Sequence, residues 1–312
     1  MYAYSTRIRV VAPNTGIGDQ TRQMNKEMRT GRQHIIIKPI LVIGASGKTG
    51  SRVVARLTAK GIPVKAASRS GQTHFDWNDR STWEHALEGA GAAYITYFPD
   101  LAFPGAAEAV EEFARLAVAN FVKRLVLLSG RNEKEAQLAE QKIKESGADY
   151  TLVRCAFFNQ NFSEMFAETV QSGVLAMPAG DTAEPFLDAD DIADVVTAAL
   201  TDDKHIGELY ELTGPRLMTL AEAAAAISEA MGRPLKYIPV TAAEYAEGLI
   251  ASGLPEEVAT PVAEMFAEGL DGRNSYLTDG VERALGRKPH DFSDWARKTA
   301  ATGVWDRAEV AS

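Results

Sequence analysis

From Ile35 onward, short apolar runs alternate with stretches in which apolar residues recur at the spacing of one helical face. The runs are Ile40-Leu-Val-Ile-Gly44, Pro63-Val-Lys-Ala-Ala67, a brief one at His74-Phe75, Ala92 to Phe98, and Arg124-Leu-Val-Leu-Leu-Ser-Gly130. Between them, Ser51 to Lys60 puts Val53, Val54 and Leu57 on one face. Ser81 to Leu87 makes a short helix, and Gly105 to Asn120 turns Val110, Phe113 and Ala117 inward with Glu111 and Glu112 outward. Strands that are apolar throughout, each followed by a helix, predict an α/β fold: a doubly wound parallel sheet covered on both faces. Strand six ends at Arg154, the helix Ile192 to Leu200 follows, and Glu208 to Thr213 supplies a last strand.

After Gly214-Pro215 the pattern becomes mainly helical. Thr219-x-x-Glu222 and Thr241-x-x-Glu244 are capping boxes that open helices, and Gly232 closes the first. Leu235 to Val240 alternates as a short strand, and Glu256 to Glu268 presents Val258, Val262, Met265 and Phe266 as a core or pocket stripe. Thr278 to Leu285 and Asp291 to Thr302 predict further short helices, with Tyr276, Trp295 and Trp305 packed. The expected organisation is an N-terminal extension over 1–33, disordered or loosely docked, and a nucleotide-binding domain over 34–155 completed by about 185–213. A smaller, mainly helical C-terminal substrate lobe comprises 156–184 and 214–312.

Composition narrows the setting. The chain has 312 residues, 46% of them hydrophobic and 24% charged, with no apolar run long enough for a membrane helix. Its single cysteine, Cys155, excludes an intrachain disulfide and points to a reducing, cytoplasmic location. The formal charge of −9 argues against a nucleic-acid partner. Residues 1–33 differ, with six basic residues against Asp19 and Glu27. The segment lacks the apolar core of a secretory signal, and Met24 and Met28 just ahead of the first strand suggest an overlong start. Five scattered histidines show no metal-ligand spacing, and Asp188, Asp190 and Asp191 sit where helix caps belong, so no metal is expected.

The chemistry begins at Gly44-Ala45-Ser46-Gly47-Lys48-Thr49-Gly50, a G-x-x-G-x-x-G turn between strand and helix. A glycine at the turn, one against the ligand and one against the strand let a pyrophosphate reach the helix-start N–H groups. Gly47-Lys48-Thr49 is not a P-loop, because Val42 occupies the position that motif requires as glycine. The second strand ends in Ala67-Ser68-Arg69-Ser70 with no acidic residue for a ribose 2′-hydroxyl, and a guanidinium there suits a 2′-phosphate, so NADP(H) is preferred over NAD(H). Asp76 and Trp77 close the third strand, where they border adenine or form an ordinary turn around a buried tryptophan. Ser129 ends strand five as a candidate for substrate or nicotinamide ribose. Phe157, Phe158 and Asn161, with Asn159 and Gln160, offer rings and amides for a pocket floor or for interdomain packing. Cys155 reads as a small buried hydrophobe.

Taken in order, the glycine turn, Val126-Leu-Leu-Ser-Gly130, Glu140-x-x-Ile143-x-x-Ser146-Gly147, Tyr150-Thr-Leu-Val-Arg154 and Phe158-Asn-Gln-Asn161-Phe162 resemble the NmrA-like branch of the atypical short-chain dehydrogenases/reductases. The likeness continues through Pro185-Phe-Leu-Asp-Ala-Asp-Asp191-Ile192-Ala193, Tyr210-Glu-Leu-Thr-Gly-Pro215 and Gly286-Arg287-Lys-Pro289. It covers about residues 35 to 300 and implies NAD(P)(H) on a Rossmann fold. It also implies either reduction of quinones and conjugated or cationic molecules, or redox sensing without turnover. Aligned on Glu140, the Tyr-x-x-x-Lys dyad of better-known short-chain dehydrogenases falls near Asn132 and Ala136, so both members are missing. Lys134, Lys142 and Lys144 on that helix read as solvated charges. Ketone reduction, which generates an alkoxide, benefits from a positioned acid, whereas a quinone, iminium or delocalised cation needs mainly the hydride. The expected function is NADPH-dependent reduction of a small, flat, electron-poor acceptor, with a protein-partnered NADP(H) sensor as the alternative.

Overall fold

The computed structural model describes residues 37–306; the segment 1–33 and its expected disorder lie outside them. Seven strands form one sheet: β1 (Ile40–Ile43), β2 (Val64–Ser68), β3 (Thr73–His74), β4 (Ala92–Ile95), β5 (Arg124–Gly130), β6 (Asp149–Cys155) and β9 (Leu209–Leu212). Their order is β3-β2-β1-β4-β5-β6-β9 and every pairing is parallel, with Ile40 opposite both Val64 and Ala92. The order reverses at β1, the place where an open α/β sheet opens a crevice beyond its strand ends.

Both faces are covered because successive side chains on the central strands serve opposite cores. Leu41 and Ile43 join Leu125, Leu127, Trp83, Phe113 and Ile143 on one side. Val42, Tyr94, Val126 and Val153 join Val53, Leu57, Ile192 and Val196 on the other. Helices α1 (Lys48–Ala59), α2 (Ser81–Leu87), α3 (Ala106–Ala119) and α4 (Lys134–Glu145) follow strands one, three, four and five. Next come α5 (Ala167–Ser172) and α6 (Ala189–Thr201). β4 stops at Ile95 rather than running to Phe98, which leaves 96–98 as irregular chain at the sheet's C-terminal edge.

A third core, with Phe162, Phe186, Phe292, Trp295 and Trp305, belongs to the C-terminal part. It carries α7 (Leu220–Met231), α8 (Ala242–Ala251), α9 (Glu256–Gly269), α10 (Gly280–Leu285) and α11 (Phe292–Ala300). Both capping boxes form, and Gly232 ends α7 at φ +67°. The expected strand at Leu235 to Val240 forms as β11 (Lys236–Pro239), paired with β7 (Val174–Met177), which the sequence pattern misses together with β8 (Ala183–Glu184) and its partner β10 (Met218–Thr219). The inward face of α9 is Ala259, Ala263 and Phe266, while Val258 is 45% exposed and Met265 40% exposed. Tyr276 is also exposed, unlike the buried Trp295 and Trp305.

Candidate cofactor and substrate cleft

The glycine loop has the strain and closeness that its spacing implies. Gly44 sits at φ +68°, where a side chain is disfavoured, and an added methyl would also strike the Thr96 hydroxyl. A methyl on Gly50 would overlap the Gly44 carbonyl oxygen, so the loop closes on α1 only with glycine there. The Gly47 N–H donates to Gly44 O (2.8 Å), and Tyr94 donates to the buried Thr49 hydroxyl (2.9 Å). Thr49 thus braces the loop from the core, while Ser46 and Gly47 face outward. The helix start at Gly47 has no side-chain cap and no acidic residue in its first turn. That fits an anionic pyrophosphate. By contrast α6 is capped by Asp188, which accepts from Asp190 N.

Arg69 follows the C-terminal end of β2 on the same crevice edge. Its guanidinium lies over the exposed Phe98 ring (4.7 Å to the centroid) and makes no ion pair among the described residues. Asp76 and Trp77 occupy different environments. Trp77 is 9% exposed, packs against Phe75, Trp83, Tyr97 and Phe113, and donates its indole N–H to Thr96 O (2.9 Å). Asp76 is half-buried, and one carboxylate oxygen accepts from Asn78 N.

A cleft of about 400 Å³ opens where β4, β5 and β6 end. Lys48 lies in its wall together with Tyr97, Ser129, Phe157, Phe158 and Asn161, so the sequence-selected ring and amide positions meet the end of the glycine loop. Met165, Met265, Phe266 and Leu270 supply apolar surface from the C-terminal part. Burial lowers the Lys48 ammonium pKa, partly offset by Glu164. Cys155 is buried and its thiol is pushed up by that burial, so it stays protonated.

Other candidates are spoken for. The Ser129 hydroxyl donates to Glu140 Oε1 (2.7 Å), and Arg154 grips the same carboxylate through Nε (2.7 Å) and Nη2 (2.6 Å). Ser129 therefore reaches the cleft as part of a buried brace between β5, β6 and α4. Gln160 points into the protein, donating to Asp188 Oδ1 (2.7 Å) and accepting from Ala189 N (2.8 Å). Asn159 is fully buried with no partner for its amide among the described residues. The acidic trio at the start of α6 divides its work: Asp188 caps, Asp190 pairs with Arg56 (2.8 Å), and buried Asp191 pairs with Arg287 (2.6 Å). Asn132 lies in the turn before α4, tied to Asn274 Oδ1 (2.8 Å), and Ala136 is buried.

The sequence reading passed over the acidic side of the cleft. Asp100, Glu133 and Glu184 all line it, and Arg131, 2% exposed, is held by Glu211 (2.8 Å) beneath the Tyr276 ring. Only the positions of Asp100 and Glu133, just past two strand ends, could have signalled them.

Two family profiles match the chain: the NmrA-like family over residues 134–298 and an NAD(P)H-binding family over 44–203. An NAD(P)H azoreductase from Xenophilus azovorans is 30% identical over 84% of this chain and 98% of its own length. An agroclavine dehydrogenase from Claviceps fusiformis is 28% identical over 82% and 95%. Among solved structures, the Citrobacter sp. triphenylmethane reductase complexed with NADP(H) superposes with a TM-score of 0.70 at 19% identity, covering 84% of this chain and 99% of its own. The chain belongs to the NmrA-like family and is an NAD(P)H-dependent oxidoreductase.

Proposed function

We propose that this protein uses NADPH in preference to NADH to reduce a small, flat, electron-poor organic acceptor: a quinone, an iminium or a conjugated cation. The observation that carries the reading is the single cleft joining Lys48 of the glycine-loop helix to the rings of Phe157 and Phe158. The likeness to an NAD(P)H azoreductase and an agroclavine dehydrogenase supports a small organic molecule as the acceptor.

The glycine loop and the α1 N-terminus would hold the pyrophosphate, and Arg69 the 2′-phosphate. Bound there, the cofactor supplies hydride from its reduced nicotinamide. The chain's own residues position the acceptor: Phe157 and Phe158 offer flat apolar faces, Asn161 an amide, and Met265 with Phe266 a wall that excludes water. Holding reactants at near-attack distance in a dry site can supply several kcal/mol, roughly 7–11 in favourable intramolecular cases, without a tyrosine acid. The residues 156–184 and 214–312 act as the substrate lobe in this reading.

Titrating the protein with NADPH, NADP⁺, NADH and NAD⁺, and then following loss of reduced nicotinamide absorbance across a panel of quinones and cationic dyes, tests the proposal. Tighter binding of NADPH than NADH, with turnover of at least one acceptor, is expected. Tight binding that distinguishes oxidised from reduced cofactor without any turnover would replace it with a redox sensor.

A further inference from the structure

We propose that Glu133 is the proton donor of the cleft, doing for acceptors that need a proton what a tyrosine does in other short-chain reductases. This rests on the reductase reading above.

Three observations lead to it. Glu133 occupies the N-cap position of α4, yet its side chain makes no capping bond. The carboxylate instead folds back over the α-carbon of Gly130, where an added methyl would collide with it. It thereby lines the cleft with Phe157, Phe158 and Lys48, and takes part in no ion pair among the described residues. The dyad position beside it holds Asn132, which faces Asn274 and the Tyr276 hydroxyl. The turn from β5 into α4 thus presents a carboxyl to the cleft one residue past the expected phenol. A side chain that abandons its cap and finds no other partner is available to a ligand.

The surroundings favour its protonated form. Burial, reinforced by the Asp100 carboxylate, pushes Glu133 up to about 7. The other charged or titratable groups lining the cleft are Lys48, Arg131, Cys155, Tyr97 and Glu184. Arg131 is already paired with Glu211, and burial holds Asp100 and Glu184 above the usual carboxylate range.

The balance is simple. Adding hydride to a quinone leaves a hydroquinone monoanion with its charge on a ring oxygen, while the nicotinamide is oxidised. The Glu133 O–H bond breaks, a phenolic O–H forms, and the carboxylate left behind recovers its proton from solvent at the cleft mouth. A triarylmethyl cation takes the hydride alone and becomes neutral, so it needs no such donor. The two acceptor types therefore respond differently to loss of the acid.

The test compares wild-type protein with Glu133→Gln at saturating NADPH, using a benzoquinone and a cationic triarylmethyl dye. The ratio of quinone rate to dye rate should fall roughly tenfold to a hundredfold in the variant. In wild type the quinone rate should decline as pH rises through about 7, the value of the Glu133 carboxyl. Asp100→Asn, which removes a neighbouring negative charge, should move that decline to lower pH. Independently of turnover, infrared titration should show protonated-carboxyl absorption that disappears through the same range in wild type and is weaker in Glu133→Gln, where Glu184 alone of the two carboxyls near 7 remains. An unchanged rate ratio, or a decline that persists in Glu133→Gln, overturns the role of Glu133 and leaves the reductase reading standing if the dye is reduced. Reduction of neither acceptor removes the reductase reading and this proposal with it.

Discussion

Replacing Arg69 by alanine removes a guanidinium at the end of β2 that lies over the Phe98 ring at 4.7 Å and has no ion-pair partner among the described residues. Because no carboxylate partner has to be broken, an arriving 2′-phosphate gains the full charge-assisted bond. The stacking on Phe98 holds the side chain near one orientation beforehand. A hydrogen bond to a charged group contributes about 1.5–3 kcal/mol, so NADPH affinity should fall between roughly tenfold and 150-fold. NADH carries no 2′-phosphate and should bind Arg69→Ala as it binds wild type. Arg69→Lys should lie between, since an ammonium keeps the charge and loses the fork geometry. Fluorescence titration with both reduced cofactors measures the two affinities side by side. An equal loss for NADPH and NADH would refute the 2′-phosphate assignment, and so would a loss for neither. The thermal midpoint should barely move, because Arg69 is exposed.

Gly50→Ala forces a methyl into the Gly44 carbonyl, a backbone atom that cannot swing away, and should cost about 1–3 kcal/mol of stability together with most cofactor affinity. Denaturant titration and cofactor binding check both. Glu140→Ala strips the buried carboxylate from Arg154 and Ser129; with the Arg154 side chain 21% exposed, the loss should sit at the low end for a broken buried pair, about 3 kcal/mol. A loss below about 1 kcal/mol would show that the brace is not stabilising. Glu184 is 2% exposed, and burial raises its carboxyl from 4.5 to about 7. A raised folded-state pKa means the native protein binds the extra proton, so stability is full below the unfolded value and declines as pH climbs through about 7. Glu184→Gln should flatten that decline, by an amount on the order of 3 kcal/mol, in denaturation curves collected across the range.

The sequence by itself determined the layered α/β fold, the glycine loop and both capping boxes, because each is written in short-range terms. Unbroken apolar runs mean strands buried on two faces, and a G-x-x-G-x-x-G turn or a Thr-x-x-Glu box is complete within a few residues. It also brought Phe157, Phe158 and Asn161 forward, since they directly follow a strand end. What depended on distant partners was decided only by the tertiary structure. Trp77 entered an aromatic core through Phe113 and Trp83, and Gln160 turned inward to Asp188 and Ala189. Ser129 donates its hydroxyl hydrogen bond to Glu140, whose charge is in turn held by Arg154. The acidic wall of the cleft was invisible in one dimension because Asp100, Glu133 and Glu184 come from three separate elements, none with a motif. Each is an ordinary surface-type residue until folding buries it, and burial rather than sequence spacing is what raises its carboxyl above the usual range.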